Sequence, residues 1–221
     1  MPRSPDWFEA HCLRQIGLRT DYRSANPPSE PDAQPYPKDG LAISLPREVL
    51  HVDILPLRDP PPALVSEFNT HESEAIAESE KAFRGHWIHW LGPQGREAIP
   101  LKTEAAYAVG PPDARIYYFE AIRQYPSSPS SSRHLECATL SYGAGWFAGQ
   151  GDVLRPLGFS VTRTGCNREG LLYMLPLGAV KVSNRLFWIT QWSGWGYEEY
   201  DVVEIKPKQT EVILSVFGGR C

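Results

Sequence analysis

The apolar residues of segment 63–83 recur near the 3.6-residue period of a helix. Three consecutive prolines lead into the segment and Gly85 follows it, which suits the first turn and the C′ position of a helix. The apolar positions can share one broad face; they are Leu64, Val65, Phe68, Ala75, Ile76 and Phe83. The pattern therefore predicts one long helix.

After residue 85 the apolar positions change to the period of two that is typical of strands. A Gly/Pro turn separates segments 86–91 and 96–101, which predicts a hairpin. Segments 115–124 and 134–142 are further predicted strands, and Gly143-Ala144-Gly145 is predicted to break or bend the second. Five more strand-like runs follow with short connectors, which makes neighbouring strands antiparallel; they are 171–175, 179–182, 185–192, 199–205 and 211–217.

Several of these strands carry apolar residues on both faces, so the sheet should be covered on both sides. The predicted fold class is α+β, mainly β: an antiparallel sheet or sandwich with a C-terminal meander and the long helix packed on it. Residues 1–62 contain 12 of the 21 prolines. Residues 1–40 are therefore predicted to be a Pro-rich tail with a short helix, and residues 41–221 to be a single β-rich domain.

The charge balance excludes some partners. Lys and Arg number 22 and Asp and Glu number 26, so the net charge is −4. A nucleic-acid binder would carry a basic excess instead. No apolar run approaches the roughly 20 residues of a membrane span, and the first residues lack the pattern of a signal peptide. The expected location is therefore the cytoplasm, with export expected only if the true start lies upstream.

The four cysteines are Cys12, Cys137, Cys166 and Cys221, and none forms a C-x-x-C pair. Without an export signal we expect reduced thiols, with Cys137 a buried and inert one in the middle of a strand. If a disulfide forms, the spacing favours Cys166–Cys221, which would tie the chain end to the last sheet.

Motifs of known chemistry are absent. The chain lacks a P-loop, a dinucleotide-binding loop, a zinc-protease motif and a nucleophile elbow. His86 and His89 are three residues apart, and on a strand they would point to opposite faces and could not share a metal. We therefore expect no cofactor and no metal, and we lean towards a protein that is not an enzyme.

The predicted helix carries five glutamates against one lysine. This surface is either an ordinary solvated face or an acidic docking surface for a basic protein, and the docking hypothesis uses Glu72, Glu74 and Glu78.

The segment from Trp192 to Tyr197 is a Gly-containing turn rich in aromatic residues, and carboxylates follow it. Trp195 lies between two glycines, where a large apolar side chain has little structural reason to be. Its ring and that of Tyr197, with Glu198 and Glu199, could bind a partner, and Asp201 and Glu204 lie in the same cluster. The alternatives are core packing of the rings, a sugar-binding surface, and a carboxylate pair of the kind found in glycoside hydrolases.

The predicted function is a non-catalytic binding protein that recognises another protein through the acidic helix and the aromatic turn, such as an inhibitor, an immunity-type protein or an accessory factor. The alternative is a carbohydrate-binding domain or a glycoside hydrolase that uses the Trp/Glu cluster of residues 192–204.

Overall fold

The fold consists of two sheets and one long helix. The computed structural model describes residues 48–82, 89–131, 135–150, 153–194 and 197–220, so the predicted tail, residues 1–40, lies outside the described residues. The helices and strands, in chain order, are β1 (Glu48–Leu50), β2 (Asp53–Ile54), α1 (Pro62–Ala82), α2 (Pro93–Glu97), β3 (Lys102–Val109), β4 (Arg115–Tyr125), β5 (Thr139–Gln150), β6 (Val153–Gly165), β7 (Leu172–Val182), β8 (Arg185–Gly194), β9 (Tyr197–Ile205) and β10 (Thr210–Arg220).

The strands form two five-stranded antiparallel sheets. Sheet A has the order β1-β7-β8-β9-β10 and sheet B has the order β2-β3-β4-β5-β6. The predicted C-terminal meander is the β7 to β10 part of sheet A, in which each strand pairs with the next. The α+β, mainly β fold class is thus confirmed.

The main core lies between the two sheets. Alternate residues of each strand point to the same face, and those of the facing sides pack together. Sheet B contributes Val109, Tyr118, Trp146 and Leu157, and sheet A contributes Met174, Ala179, Trp188 and Val203. The next residue along each strand faces the other way, so sheet B has a second apolar face to cover.

Helix α1 covers that second face of sheet B. Leu64 and Phe68 are fully buried against Phe119 and Phe147 of the sheet. The backbone of Gly143 lies directly below the helix, because a Cβ there would come within 2.7 Å of the Phe68 and Phe159 rings. The predicted helix and its packing on the sheet are therefore confirmed.

A buried ion pair fixes α1 to β4. The Glu72 carboxylate accepts hydrogen bonds from Arg123 Nη1 at 2.5 Å and from the Tyr125 hydroxyl at 2.6 Å. Arg123 also donates to the Asn69 side chain at 2.8 Å and to the Ile99 carbonyl at 3.0 Å. Glu72 is only 1% exposed. Its predicted place on a docking surface is therefore wrong, because its carboxylate is occupied inside the fold.

Several local predictions also need correction. Pro93–Glu97 is a short helix rather than the turn of a hairpin, and segment 96–101 is not a strand. Strand β5 continues through Gly143-Ala144-Gly145 without a break. The two strands predicted within residues 171–182 are one strand, β7, with an irregular register between Pro176 and Gly178.

The disulfide prediction is also wrong. Cys166 bonds to Cys137, with 5.9 Å between their Cα atoms. The pairing follows from the β5–β6 register, in which Thr139 pairs with Gly165. Cys137 comes shortly before Thr139 and Cys166 directly after Gly165, so the register brings the two cysteines together. Cys137 therefore lies just before the strand and is not a buried free thiol. Cys12 and Cys221 lie outside the described residues.

Candidate functional site

A cavity of about 470 Å³ lies between the two sheets. Strands β4, β5 and β6 of sheet B line one side, and β8, β9 and β10 of sheet A line the other. Its volume falls in the range of small-molecule sites, about 300–1,000 Å³. The aromatic and acidic side chains that line it include Tyr118, Tyr142, Trp146, Trp192, Glu199 and Asp201.

Three aromatic rings form one wall. The centroid of Tyr118 is 4.7 Å from that of Trp146 and 6.1 Å from that of Trp192, and the two indoles are 6.1 Å apart. All three contacts are edge-to-face. The Nε1 atoms of both tryptophans are buried. That of Trp192 interacts with the Asp201 carboxyl, whereas that of Trp146 has no hydrogen-bond partner. The wall therefore presents one unsatisfied N–H donor beside apolar ring surface.

Two carboxylates of β9 face the same cavity, because they are two residues apart on one strand. Glu199 pairs in register with Trp192 of β8, and Asp201 pairs with Ser215 of β10. Neighbouring strands thus place an indole beside one acid and a hydroxyl beside the other.

The two carboxylates have opposite electrostatic environments. The hydroxyls of Ser215 and Tyr197 donate to Glu199 and lower the pKa of its carboxyl group. Burial raises the pKa of Asp201, the nearby Glu199 charge adds to the increase, and Ser215 and Trp192 partly oppose it. Asp201 is 9% exposed, and its Oδ1 atom is buried without a hydrogen bond. Asp201 is therefore the less solvated and more readily protonated acid.

A third carboxyl is hydrogen-bonded to the aromatic wall. Glu120 Oε1 accepts hydrogen bonds from the Met174 amide at 2.7 Å and from the Tyr118 hydroxyl at 3.4 Å. Burial raises the pKa of Glu120. Burial also raises the pKa of Tyr118 and Tyr142 well above the ordinary value of 10.0, so both phenols stay neutral donors.

The cavity favours neutral or cationic ligands over anions. The described residues that line it include two acids and no Lys, Arg or His. An anionic ligand would meet like charge in a partly desolvated site, which is costly. A phosphate or carboxylate ligand is therefore disfavoured.

The structure brings together part of the site that the sequence predicted. Glu199 lines the cavity, and Tyr197 lies beside it as a hydrogen-bond donor. Glu198 is on the other face of β9, where the Tyr200 hydroxyl donates to it at 3.4 Å. Trp192 belongs to strand β8, which agrees with the predicted strand 185–192, and Trp195 lies outside the described residues.

The acidic helix is a separate surface. Glu74 is 64% exposed and contacts His71 at 3.0 Å, while Glu67 contacts the same histidine at 3.5 Å. Glu78 is exposed as well. With Glu72 buried, the exposed carboxylates that remain from the docking hypothesis are Glu74 and Glu78.

Sequence reasoning missed the half of the cavity that sheet B supplies. Tyr118 and Trp146 carry no motif, and their role depends on how the two sheets face each other. Asp201 was noted in the carboxylate cluster but not chosen as a site residue. Its position two residues after Glu199 was the available signal, because a strand puts both side chains on one face.

Within the described parts of the chain, no group of three His, Cys, Asp or Glu residues could hold a metal. His89 is buried, its Nδ1 atom lies 3.1 Å from the Leu91 amide, and burial lowers its pKa. Its predicted neighbour His86 is outside the described residues. Over those same ranges no helix is long and apolar enough to cross a membrane.

Comparison of the chain with family models, with curated proteins and with solved structures finds no match.

Proposed function

We propose that the cavity between the sheets binds a neutral carbohydrate. The observation that carries the proposal is a pair of buried polar atoms without a hydrogen-bond partner around one cavity: Nε1 of Trp146 and Oδ1 of Asp201. Such atoms cost free energy unless a ligand or a water molecule satisfies them.

A sugar hydroxyl suits this set because it both donates and accepts hydrogen bonds. It can accept from the indole N–H of Trp146 and donate to the carboxylate of Asp201. Carbohydrates carry several hydroxyls at fixed spacing, so one ligand can satisfy donors and acceptors on both sheets. An apolar ligand would leave both atoms unsatisfied, so a polyol is favoured.

The aromatic wall and the charge support the same class. The C–H face of a pyranose packs on aromatic rings, and Tyr118, Trp146 and Trp192 supply three rings at the cavity. The lining acids disfavour sulfated and uronic sugars, whereas a neutral sugar can donate hydroxyl hydrogens to them.

The test is calorimetric titration of the full chain with neutral hexasaccharides of glucose, xylose, mannose and N-acetylglucosamine. Asp201→Leu removes the acceptor and Trp146→Phe removes one donor while keeping a ring. Loss of one hydrogen bond of about 1 kcal/mol weakens binding roughly fivefold, and loss of a charged one weakens it ten- to a hundredfold.

Glu198→Gln is the matched control, because Glu198 is a carboxylate of the same strand on its other face. It should bind as the wild type does. Absence of binding to every hexasaccharide contradicts the proposal, and so does equal weakening by the control. Binding of tetramethylammonium in place of the sugars would assign the cavity to organic cations instead.

Docking of a basic protein on α1 is a second proposal, supported by the exposed carboxylates of Glu74 and Glu78. Such a complex should weaken as salt rises, because the charges are screened over about 10 Å at 0.1 M. Charge reversal by Glu74→Lys with Glu78→Lys should abolish it. A complex whose affinity changes neither with salt concentration nor in this variant would contradict the proposal.

The Cys137–Cys166 bond supports an oxidising compartment over the cytoplasm expected from the sequence, because cytosolic thiols are kept reduced. Mass spectrometry of unreduced, digested native protein should find the peptide pair that contains these two cysteines. Recovery of both as free thiols would favour the cytoplasm.

A further inference from the structure

We propose that the cavity hydrolyses a glycosidic bond, with Asp201 as the proton donor to the leaving oxygen and Glu199 as the base that activates water. This inference rests on the proposed carbohydrate binding. It assigns each acid a role and predicts the stereochemistry of the product.

The strand geometry fits two carboxylates that act across one bond. Residues two apart on a strand are separated by about 6.6–6.8 Å along it, and their side chains share a face. Enzymes that invert the anomeric centre have carboxylates about 6.5–9.5 Å apart, while retaining enzymes need about 5–5.5 Å. The backbone spacing of Glu199 and Asp201 falls in the inverting range, and we assign the pair that mode, in which a water molecule lies between the base and the sugar.

The site is more than an acidic pair. Asp201 is 9% exposed, faces the cavity, and leaves Oδ1 without a partner, and the buried Nε1 of Trp146 is unpartnered in the same cavity. Both residues line the space between the sheets. A buried polar atom without a partner costs free energy that a ligand can recover, so these atoms are the sign of a ligand beside the carboxylates.

The environments give the two acids opposite protonation states. The hydroxyls of Tyr197 and Ser215 stabilise Glu199 as a carboxylate, whereas burial favours the protonated form of Asp201. The other titratable groups that line the cavity are Tyr118 and Tyr142, which stay neutral. Pairs of acids whose pKa values are pushed apart are typical of acid and base roles.

The reaction then balances with water alone. Asp201 gives its proton to the glycosidic oxygen as the bond from that oxygen to the anomeric carbon breaks. Water adds its oxygen to the opposite face of the anomeric carbon and gives a proton to Glu199. One water is consumed, two products with hydroxyl groups leave, and solvent returns the proton from Glu199 to Asp201.

The aromatic wall has a role in this step. The anomeric carbon gains positive charge in the transition state, and aromatic ring faces attract cations. Trp146, Trp192 and Tyr118 therefore offer surface that favours the charged transition state, next to the ionised Glu199.

The test measures new reducing ends after incubation of the full chain with β-glucan, xylan, galactomannan and starch. Acid or base removal lowers such rates by about 10²–10⁴-fold, so we expect at least a hundredfold loss in Asp201→Asn and in Glu199→Gln. Both variants should still bind the substrate. Glu198→Gln should keep the wild-type rate.

Proton NMR of the first product should show inversion at the anomeric carbon. Retention would overturn the role of Glu199 as a base. Because Asp201 is buried, circular dichroism must show that Asp201→Asn folds. If that variant does not fold, Glu199→Gln, at a less buried position, tests the pair independently.

The outcomes separate this inference from the proposed function. Sugar binding without new reducing ends from any of the four polysaccharides overturns hydrolysis and leaves carbohydrate binding intact. If the protein neither binds nor hydrolyses any of these sugars, both the carbohydrate-binding proposal and the hydrolysis proposal are overturned. Hydrolysis that survives in folded Asp201→Asn overturns the assignment of the acid.

Discussion

Replacement of Glu72 by alanine tests whether its carboxylate belongs to a buried ion pair or to an exposed docking surface. A docking residue could be removed at little cost to stability. The structure instead places the Glu72 carboxylate inside the fold, where it accepts hydrogen bonds from Arg123 at 2.5 Å and from Tyr125 at 2.6 Å. Both members of the ion pair are at least 98% buried at the side chain. Glu72→Ala therefore leaves a buried cation without its counter-charge.

The size of the effect follows from what remains. Removal of one partner of a buried ion pair costs about 3–5 kcal/mol, and a stranded buried hydroxyl costs about 1–3 kcal/mol more. Arg123 keeps its hydrogen bonds to Ile99 and Asn69, which offsets part of this loss. We therefore expect Glu72→Ala to lower the free energy of unfolding by about 3–5 kcal/mol. In a chain of this length that lowers Tm by roughly 6–20 °C.

Urea unfolding followed by circular dichroism measures this quantity, with Glu74→Ala as the control from the same helix. Glu74 is 64% exposed, so its removal should change stability by less than about 0.5 kcal/mol. A third variant replaces both partners, Glu72→Leu with Arg123→Met, and should recover most of the loss, because apolar residues can substitute for a buried pair. Equal small effects of Glu72→Ala and Glu74→Ala would refute the buried pair.

Three further predictions concern other features of the fold. Burial raises the folded-state pKa of Asp201, so the contribution of Asp201 to stability is largest at low pH and is lost as pH rises above its ordinary pKa of 3.8. In urea unfolding at several pH values, Asp201→Asn should therefore remove this decrease in the free energy of unfolding. A variant with the same pH profile as the wild type would contradict the prediction. Cys137 and Cys166 close a loop of 29 residues, so replacing both by alanine should cost up to roughly 3.5 kcal/mol; dithiothreitol should lower the wild-type Tm but not that of the double variant. Gly143→Ala places a methyl group against Phe68, which should cost about 1–3 kcal/mol in urea unfolding, and an unchanged midpoint would contradict this packing.

The elements that sequence analysis predicted correctly are those with a sustained period. Helix α1 and strands β4, β8, β9 and β10 each carry a clear apolar repeat. Strand β3, Lys102–Val109, was missed because its three alanines lack the β-branched residues that mark strands. Strand β6 was missed because Pro156 and Gly158 interrupt it, which is tolerated since β6 is at the edge of sheet B.

Glu72 shows what a charge count overlooks. Leu64, Phe68, Glu72 and Ile76 follow one another at intervals of four residues, and all four are buried. The glutamate thus occupies a position in the apolar row of the helix. An acid at such a position predicts an internal partner, but only the tertiary fold could name Arg123, 51 residues further on.

The cavity was predictable only in part, for the same reason. The relation of Trp192 to Glu199 and Asp201 follows from neighbouring strands of a meander and can be derived from the sequence. The other two rings of the aromatic wall, Tyr118 and Trp146, come from strands of another sheet. No local sequence pattern predicts which faces of the two sheets will pack against each other.

The buried carboxylates distinguish structural acids from a functional one. In the described part of the chain the buried acids are Glu72, Glu120, Asp201 and Glu204. Arg123 donates a hydrogen bond to the Glu72 carboxylate, and the Met174 amide donates one to Glu120. Arg185 donates two hydrogen bonds of 2.7 Å to Glu204. Among these four, Asp201 has an oxygen without a partner, and it faces the cavity.

A ligand that satisfies Asp201 should therefore stabilise the fold. At a concentration of 100 times its Kd, such a ligand adds about 2.7 kcal/mol, which raises Tm by roughly 5–11 °C in a chain of this length. Thermal unfolding with and without the best-bound hexasaccharide measures the shift. Asp201→Leu should lose most of it, whereas Glu198→Gln should keep it. A shift of equal size in both variants would mean that the sugar binds elsewhere and that the unpartnered carboxylate has no part in recognition.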